Sequence, residues 1–189
     1  MFQILKNNLF QTKNKTMKKT ILVMATAISL FACNTPQASS NDSDDAAMVT
    51  FKENAKVVES GLKAFAKNDL AEFATYVSDT AKFYGPGFND TVALSKADWI
   101  KRLESFHTIL TDIKANIVGS YPGVDTVTYK PDGGVRTYVI WESVSKVNGH
   151  KYNNKFYSTF KLNADHKIIE ENQFFDATGI VADAMAPKK

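Results

Sequence analysis

The chain has 189 residues, a length that suits one ordinary domain. A single cysteine, Cys33, excludes any disulfide framework within it. The formal charge of +3 comes from 23 Lys and Arg against 20 Asp and Glu, and it is unevenly spread: residues 1–32 hold five lysines and no acid, so the remainder carries 18 against 20, a net −2. That remainder offers no electrostatic case for a nucleic-acid partner.

Residues 1–16, MFQILKNNLFQTKNKT, read as an upstream extension, and Met17 is the better start. Lys18 and Lys19 supply a short positive region, and Ile21 to Ala32 is apolar apart from Thr26 and Ser29. A polar tail follows at once. This is the layout of a secretory signal peptide, and the apolar run falls short of the ~20 residues a membrane span needs. Leu30-Phe31-Ala32-Cys33 resembles the lipobox of bacterial lipoprotein precursors. The resemblance implies cleavage before Cys33 and its acylation. The membrane then becomes a partner through that lipid, and the protein belongs to the cell envelope, on the periplasmic side or the cell surface. A reactive thiol would need an electropositive pocket, which a tail of Ser, Asn, Asp and Pro does not offer. The expected organisation is therefore 1–32, extension and signal peptide; 33–46, lipidated Cys33 and flexible tether; and 47–189, the folded domain.

Met48 to Lys67 reads as a helix, because Phe51, Ala55, Val58, Leu62 and Phe65 share one face. Asn68 closes it, and Asp69-Leu-Ala-Glu72 opens the next helix with a pattern like a capping box. AKFYGPG reads as a short strand stopped by Gly85-Pro86-Gly87. A third helix opens at Ser95, with Trp99, Leu103, Phe106 and Leu110 as its core face.

From Ile113 the apolar period becomes two, and five stretches read as strands: 112–121, 124–130, 134–147, 151–162 and 167–175. Pro131 to Gly134, Asn148-Gly149 and Asn163 to His166 supply the turns. With Asn148-Gly149 as a two-residue loop, Trp141 opposes Phe156, Val139 opposes Ser158, Thr137 opposes Phe160, Glu142 opposes Lys155 and Ile140 opposes Tyr157. Across the next hairpin Ile169, Glu171, Gln173 and Phe175 join the Trp141 face, while Tyr138, Tyr157, Phe174 and Asp176 take the other. Helices followed by a sheet predict an α+β domain with the helices on one sheet face. Asp176 is expected to cap a last helix, DATGIVADAM.

The stretches KNDLAEFATYVSDTAKFYGPG and NADHKIIEENQFFD, in this element order, resemble the nuclear transport factor 2-like superfamily, which includes SnoaL-like cyclases and ketosteroid isomerase. The resemblance implies a cone in which three N-terminal helices pack on a strongly curved antiparallel sheet around an apolar pocket. It also implies a homodimer through the outer sheet face. Carried over residue by residue, the isomerase's general base falls at Gly85, its oxyanion tyrosine at Gly61 and its protonated aspartate at Ser158, so those three positions are vacant.

On this frame the ligand-binding candidates are Phe83, Trp99, Leu103, His107, Trp141, Phe156, Ser158, Gln173 and Phe175. His107 with Glu171 is the candidate acid–base pair, since a carboxylate raises an imidazole's pKa toward neutrality. No His, Asp or Glu spacing resembles a metal site, PDGG lacks the lysine and helix of a phosphate loop, and no cofactor is implied. Three functions stay open: a module binding a small apolar or amphipathic molecule, an enzyme of lyase, cyclase or hydrolase type, and a dimerisation or interaction domain without ligand.

Overall fold

A computed structural model describes residues 42–187. By contacts the chain divides into Met1–Ser40 and Asn41–Lys189. The expected signal peptide, Cys33 and most of the tether therefore lie outside the described residues.

The first helix, α1, spans Asp42–Ala66 and buries the expected stripe, with Val58 almost wholly enclosed. It ends where Asn68 takes a left-handed φ of 60°, a conformation asparagine tolerates, and Asp69 N–H donates back to the Ala64 carbonyl. The Asp69 carboxylate then accepts from Glu72 N–H at 2.8 Å and starts α2, Leu70–Thr75. Strand β1 is Val77–Tyr84, and α3 is Lys96–Ile109 with Ser95 as its cap. Four strands follow: β2, Leu110–Val124; β3, Pro131–Ser145; β4, Lys151–Leu162; and β5, Ile168–Phe174. A last helix, α4, Ala177–Met185, is capped by Asp176, whose Oδ1 accepts from Gly179 N–H at 2.8 Å.

The sheet runs β1-β5-β4-β3-β2. It is antiparallel except at one edge, where β1 pairs parallel with β5. The predicted strand over 124–130 is instead a turn. Asp125 Oδ1 accepts from Val127 N–H, Thr128 N–H and the Thr128 hydroxyl, which folds the chain back on itself. Residues 131–134, expected as a turn, begin β3.

The β3–β4 register is two residues from the expected one: Trp141 faces Asn154, Val139 faces Phe156, Thr137 faces Ser158, and Glu142 faces Asn153 rather than Lys155. The cause is Ser145. Its hydroxyl accepts from Val147 and Asn148 N–H, and Ser145 N–H bonds the His150 carbonyl, so the loop is four residues long rather than two. A shift of two preserves side-chain parity, so β3 and β4 keep their expected faces. Near the start of β5 the register slips between Lys161 and Leu162, and Ile168, not Ile169, takes the core position.

One core joins the helices to the concave sheet face through Val135, Val139, Phe156, Phe160 and Ile168. Asn54, buried on α1, locks this arrangement. Its amide donates to the Gly133 carbonyl at 2.8 Å, and its Oδ1 meets His166 Nδ1 at 2.6 Å, so two separate hairpins are tied to one helix.

Candidate functional site: an apolar cavity with a buried carboxyl

The concave face and the helices do not close completely. They leave a cavity of about 70 Å³ walled mainly by aromatic and aliphatic side chains. Six of the nine expected ligand-binding residues line it: Trp99, Leu103, Trp141, Phe156, Gln173 and Phe175. Trp141 meets Phe156 edge-on at 6.0 Å, and Phe156 meets Phe175 at 5.4 Å, so the sheet side is a continuous aromatic wall.

The other three expected residues sit elsewhere. Phe83 is fully enclosed behind the wall, stacked on Trp99 at 4.9 Å and 10°. Ser158 is also fully enclosed and reaches the cavity only through its hydrogen bond to Glu171. His107 turns away. Its ring packs on Phe65 at 4.9 Å and lines a separate surface recess with Asn68, Asp112 and Lys146. Burial lowers its pKa below the ordinary imidazole value, against the effect of a hydrogen bond with the Phe65 backbone, and no carboxylate contributes. The expected His107–Glu171 pair is therefore not formed, because the end of α3 directs His107 toward α1 rather than toward β5.

Glu171 does line the cavity, and it is 3% exposed. No cation pairs with it among the described residues. Gln173 Nε2 donates to its Oε1 at 2.7 Å, and the Ser158 hydroxyl lies 3.1 Å from the same oxygen and 2.8 Å from the Asn172 carbonyl. Burial pushes the carboxyl up to about 7, despite the lowering effect of these two bonds. Glu171 is the one ionisable side chain among the described residues that line the cavity.

A larger groove of about 640 Å³ opens beside the cavity, between α3, the 86–90 loop and α4. Phe106 and Gln173 line both spaces and form the partition between them. The C-terminal end of α4 is pinned over this region. Ser145 Oγ donates to the Ala184 carbonyl at 2.9 Å, Asn148 Nδ2 donates to the Asp183 carbonyl at 2.6 Å, and Tyr152 OH donates to the Asp183 carboxylate at 2.6 Å. On the opposite wall Arg102 makes a two-pronged ion pair with Asp90 at 2.7 and 3.2 Å and rests 5.8 Å from the Trp99 ring. That pair occupies the space a side chain at Gly85 would need. The vacancy expected at position 85 is thus filled by a neutralised ion pair. At Gly61 an added methyl group would meet the rings of Phe73 and Tyr76 at ordinary contact distance.

Sequence reasoning missed several wall residues. Ser143 and Asn154 lie on the Trp141 face by simple alternation, a signal present in the period-two pattern. Ile180, from α4, had no such signal, since nothing local shows that the last helix returns to the cone. Among the described residues no helix is long and apolar enough to cross a membrane, and no group of three His, Cys, Asp or Glu is placed to hold a metal ion.

The fold and cavity define an α+β cone of the nuclear transport factor 2-like kind, and solved structures share it. IdmH from Streptomyces antibioticus, described as a proposed polyketide cyclase, aligns with a TM-score of 0.57 at 13% identity, over 70% of this chain and 99% of its own. A proposed SnoaL-like polyketide cyclase from Shewanella denitrificans gives 0.55 at 13% identity, over 68% and 94%. A nuclear transport factor 2-like protein of unknown function from Exiguobacterium gives 0.52 at 17%, over 64% and 98%. At these identities the likeness establishes the fold. No protein-family model matches the sequence, and neither does any curated protein.

Proposed function

We propose that this is a lipid-anchored cell-envelope domain that holds a small apolar or amphipathic molecule in its cone. The observation that carries this reading is Glu171, a carboxyl enclosed on a mainly apolar cavity wall with no cation beside it among the described residues. A polar group in such a place costs stability relative to an apolar side chain of the same shape, which packing alone would favour. The adjoining groove suits the reading, because the cavity alone lies well below the ~300–1,000 Å³ of typical ligand sites and a larger guest would extend past Phe106 and Gln173. The anchor rests on the N-terminal pattern ending at Cys33. The cyclase descriptions of the structural neighbours agree with a small-molecule site, but the turned-away His107 removes the acid–base pair that an enzyme of that kind was expected to use here.

Native mass spectrometry of the protein purified without added ligand tests the binding reading. The expected result is an adduct of defined mass that Trp141→Ala weakens. An adduct indifferent to Trp141→Ala places the ligand elsewhere and contradicts the reading.

A second reading is compatible with the first, and the convex sheet face favours it. Tyr121, Tyr138, Tyr157 and Phe174 form a ladder across four strands, with successive ring centroids 5.9, 4.8 and 5.6 Å apart. Tyr138 and Phe174 are 47% and 58% exposed, and such an aromatic surface is suited to a second copy. Sedimentation analysis is expected to show a dimer that Tyr157→Lys converts to a monomer. A wild-type monomer at high concentration contradicts it.

A further inference from the structure

We propose that Glu171 is the specificity group of the cavity: it presents a hydrogen-bond donor from Oε2 to an uncharged carbonyl oxygen on an otherwise apolar ligand. This rests on the cavity being a binding site, and it names the class of ligand. In a neutral carboxylic acid the carbonyl oxygen is the better acceptor and the other oxygen carries the proton. Gln173 Nε2 donates to Oε1 at 2.7 Å, and the Ser158 hydroxyl also approaches that oxygen. Oε1 is therefore the carbonyl oxygen, and the hydroxyl is Oε2. Oε2 takes no hydrogen bond from a described residue, yet it is not sealed off as Trp99 Nε1 and His107 Nε2 are. Glu171 lines the cavity, so Oε2, with no described partner, is the oxygen left to serve its free space. The walls are mainly aromatic and aliphatic, with Ser143, Asn154 and Gln173 as uncharged exceptions; they reward an apolar body, and no described residue among them carries a positive charge.

The surrounding elements reinforce the neutral form. Arg102 and His107 of α3 line the groove and the recess, not the cavity. Lys52, Glu53, Lys56 and Lys63 of α1, Lys82 of β1, and Lys155 and Lys161 of β4 are exposed. Glu142 of β3 bonds Asn116 on the outside, and Glu72 of α2 accepts from the Tyr76 hydroxyl. Burial with no cation beside it among the described residues keeps the proton on Glu171 well above the ordinary carboxylate range, up to its raised pKa of about 7. A ligand carbonyl then completes the hydrogen bonding of Oε2, and a ligand carboxylate is rejected as the pH rises and Glu171 ionises.

Acetophenone and ethylbenzene test this, since they match in shape and differ in the carbonyl oxygen. Their affinities are measured by ligand-observed NMR at pH 6 and pH 9. In the wild type the acetophenone-to-ethylbenzene affinity ratio is expected to fall about five- to tenfold between the two pH values, the worth of one hydrogen bond. Glu171→Leu is expected to lower the ratio by the same factor at pH 6. Glu171→Gln, which keeps a donor, is expected to hold the ratio constant across pH. A ratio unchanged by pH and by Glu171→Leu overturns the proposal while leaving the cavity a binding site. If neither probe binds the wild type, the binding reading falls and the proposal falls with it. The wild-type pH series needs no variant, so a poorly folding substitution does not blunt the test.

Discussion

The two faces of one sheet have opposite uses of the same residue alternation. The concave face hides most of what it carries: Val135, Val139, Thr137 and Ser158 are enclosed, and Glu171 is buried with no cation beside it among the described residues. The convex face displays a run of aromatics among lysines, with Tyr121, Tyr138 and Phe174 about half exposed. Residues adjacent in sequence, such as Ser158 and Tyr157, therefore experience different physics. Inside, low dielectric moves a pKa and empty volume is costly. Outside, water and salt mute both effects. The lesson is that a functional reading attaches to a face, and the parity of a strand decides which face a residue joins.

The largest expected effect breaks the contrast from the inside. Trp99→Ala removes a fully enclosed ring stacked on Phe83 and should destabilise the protein by about 3–5 kcal/mol, whereas Tyr138→Ala on the outside should cost less than about 1 kcal/mol, both read by urea denaturation. Comparable losses at the two positions would erase the distinction between the faces.

The next test sharpens it through pH. Glu171 has a folded pKa of about 7, raised from its ordinary 4.5. Between those values the folded protein holds a proton that the unfolded chain has released, so stability falls as pH rises through that window. It levels off above about pH 7, after a total loss of about 3 kcal/mol. Glu171→Gln should remove this fall, gaining most over the wild type at pH 8 and least near pH 5. His107 acts with the opposite sign, since its lowered pKa costs stability as pH drops below 6.5, so the difference between wild type and Glu171→Gln isolates the carboxyl. A difference that does not change between pH 5 and 8 would show an ordinary carboxylate.

Smaller, at about 1–3 kcal/mol, is the expected loss in Asn54→Ala, which leaves the Gly133 carbonyl and the His166 ring without their helix partner. Denaturation at fixed pH reads it, and a change within 0.5 kcal/mol, in order-of-magnitude terms, would contradict the clamp role. The smallest effect on folding, within about 1 kcal/mol, is expected for Tyr157→Lys. Its consequence should appear in oligomeric state instead, leaving retention of any ligand intact.

Much of this contrast is legible in the sequence, for a reason visible in the β3–β4 hairpin. Asn148-Gly149 announces a turn, and the turn is there, but Ser145 caps a longer loop than the dipeptide suggests. Every pair moves by two, and parity survives, so Trp141, Phe156, Ser158, Glu171 and Gln173 remain on the inner face. The caps at Asp69, Ser95 and Asp176 are equally readable, because each acts on a backbone N–H three residues away. Long-range geometry is not readable in the same way. Nothing near His107 shows that its ring meets Phe65 rather than β5. The Arg102–Asp90 pair beneath Gly85, and the seat of α4 on the β3–β4 hairpin, both depend on chain segments meeting only after folding. The parallel pairing of β1 with β5 was hidden likewise, since a lone short strand has no turn to declare its partner.

The central claim is that the inner face keeps a neutral acid in an apolar ligand cavity. Carbon-detected NMR titration of the Glu171 side-chain carboxyl tests it most directly, first alone and then with saturating acetophenone. The account predicts a midpoint near 7 that moves upward with the ketone present, because the ligand binds the protonated form. A midpoint in the ordinary carboxylate range, unmoved by the ketone, would contradict it.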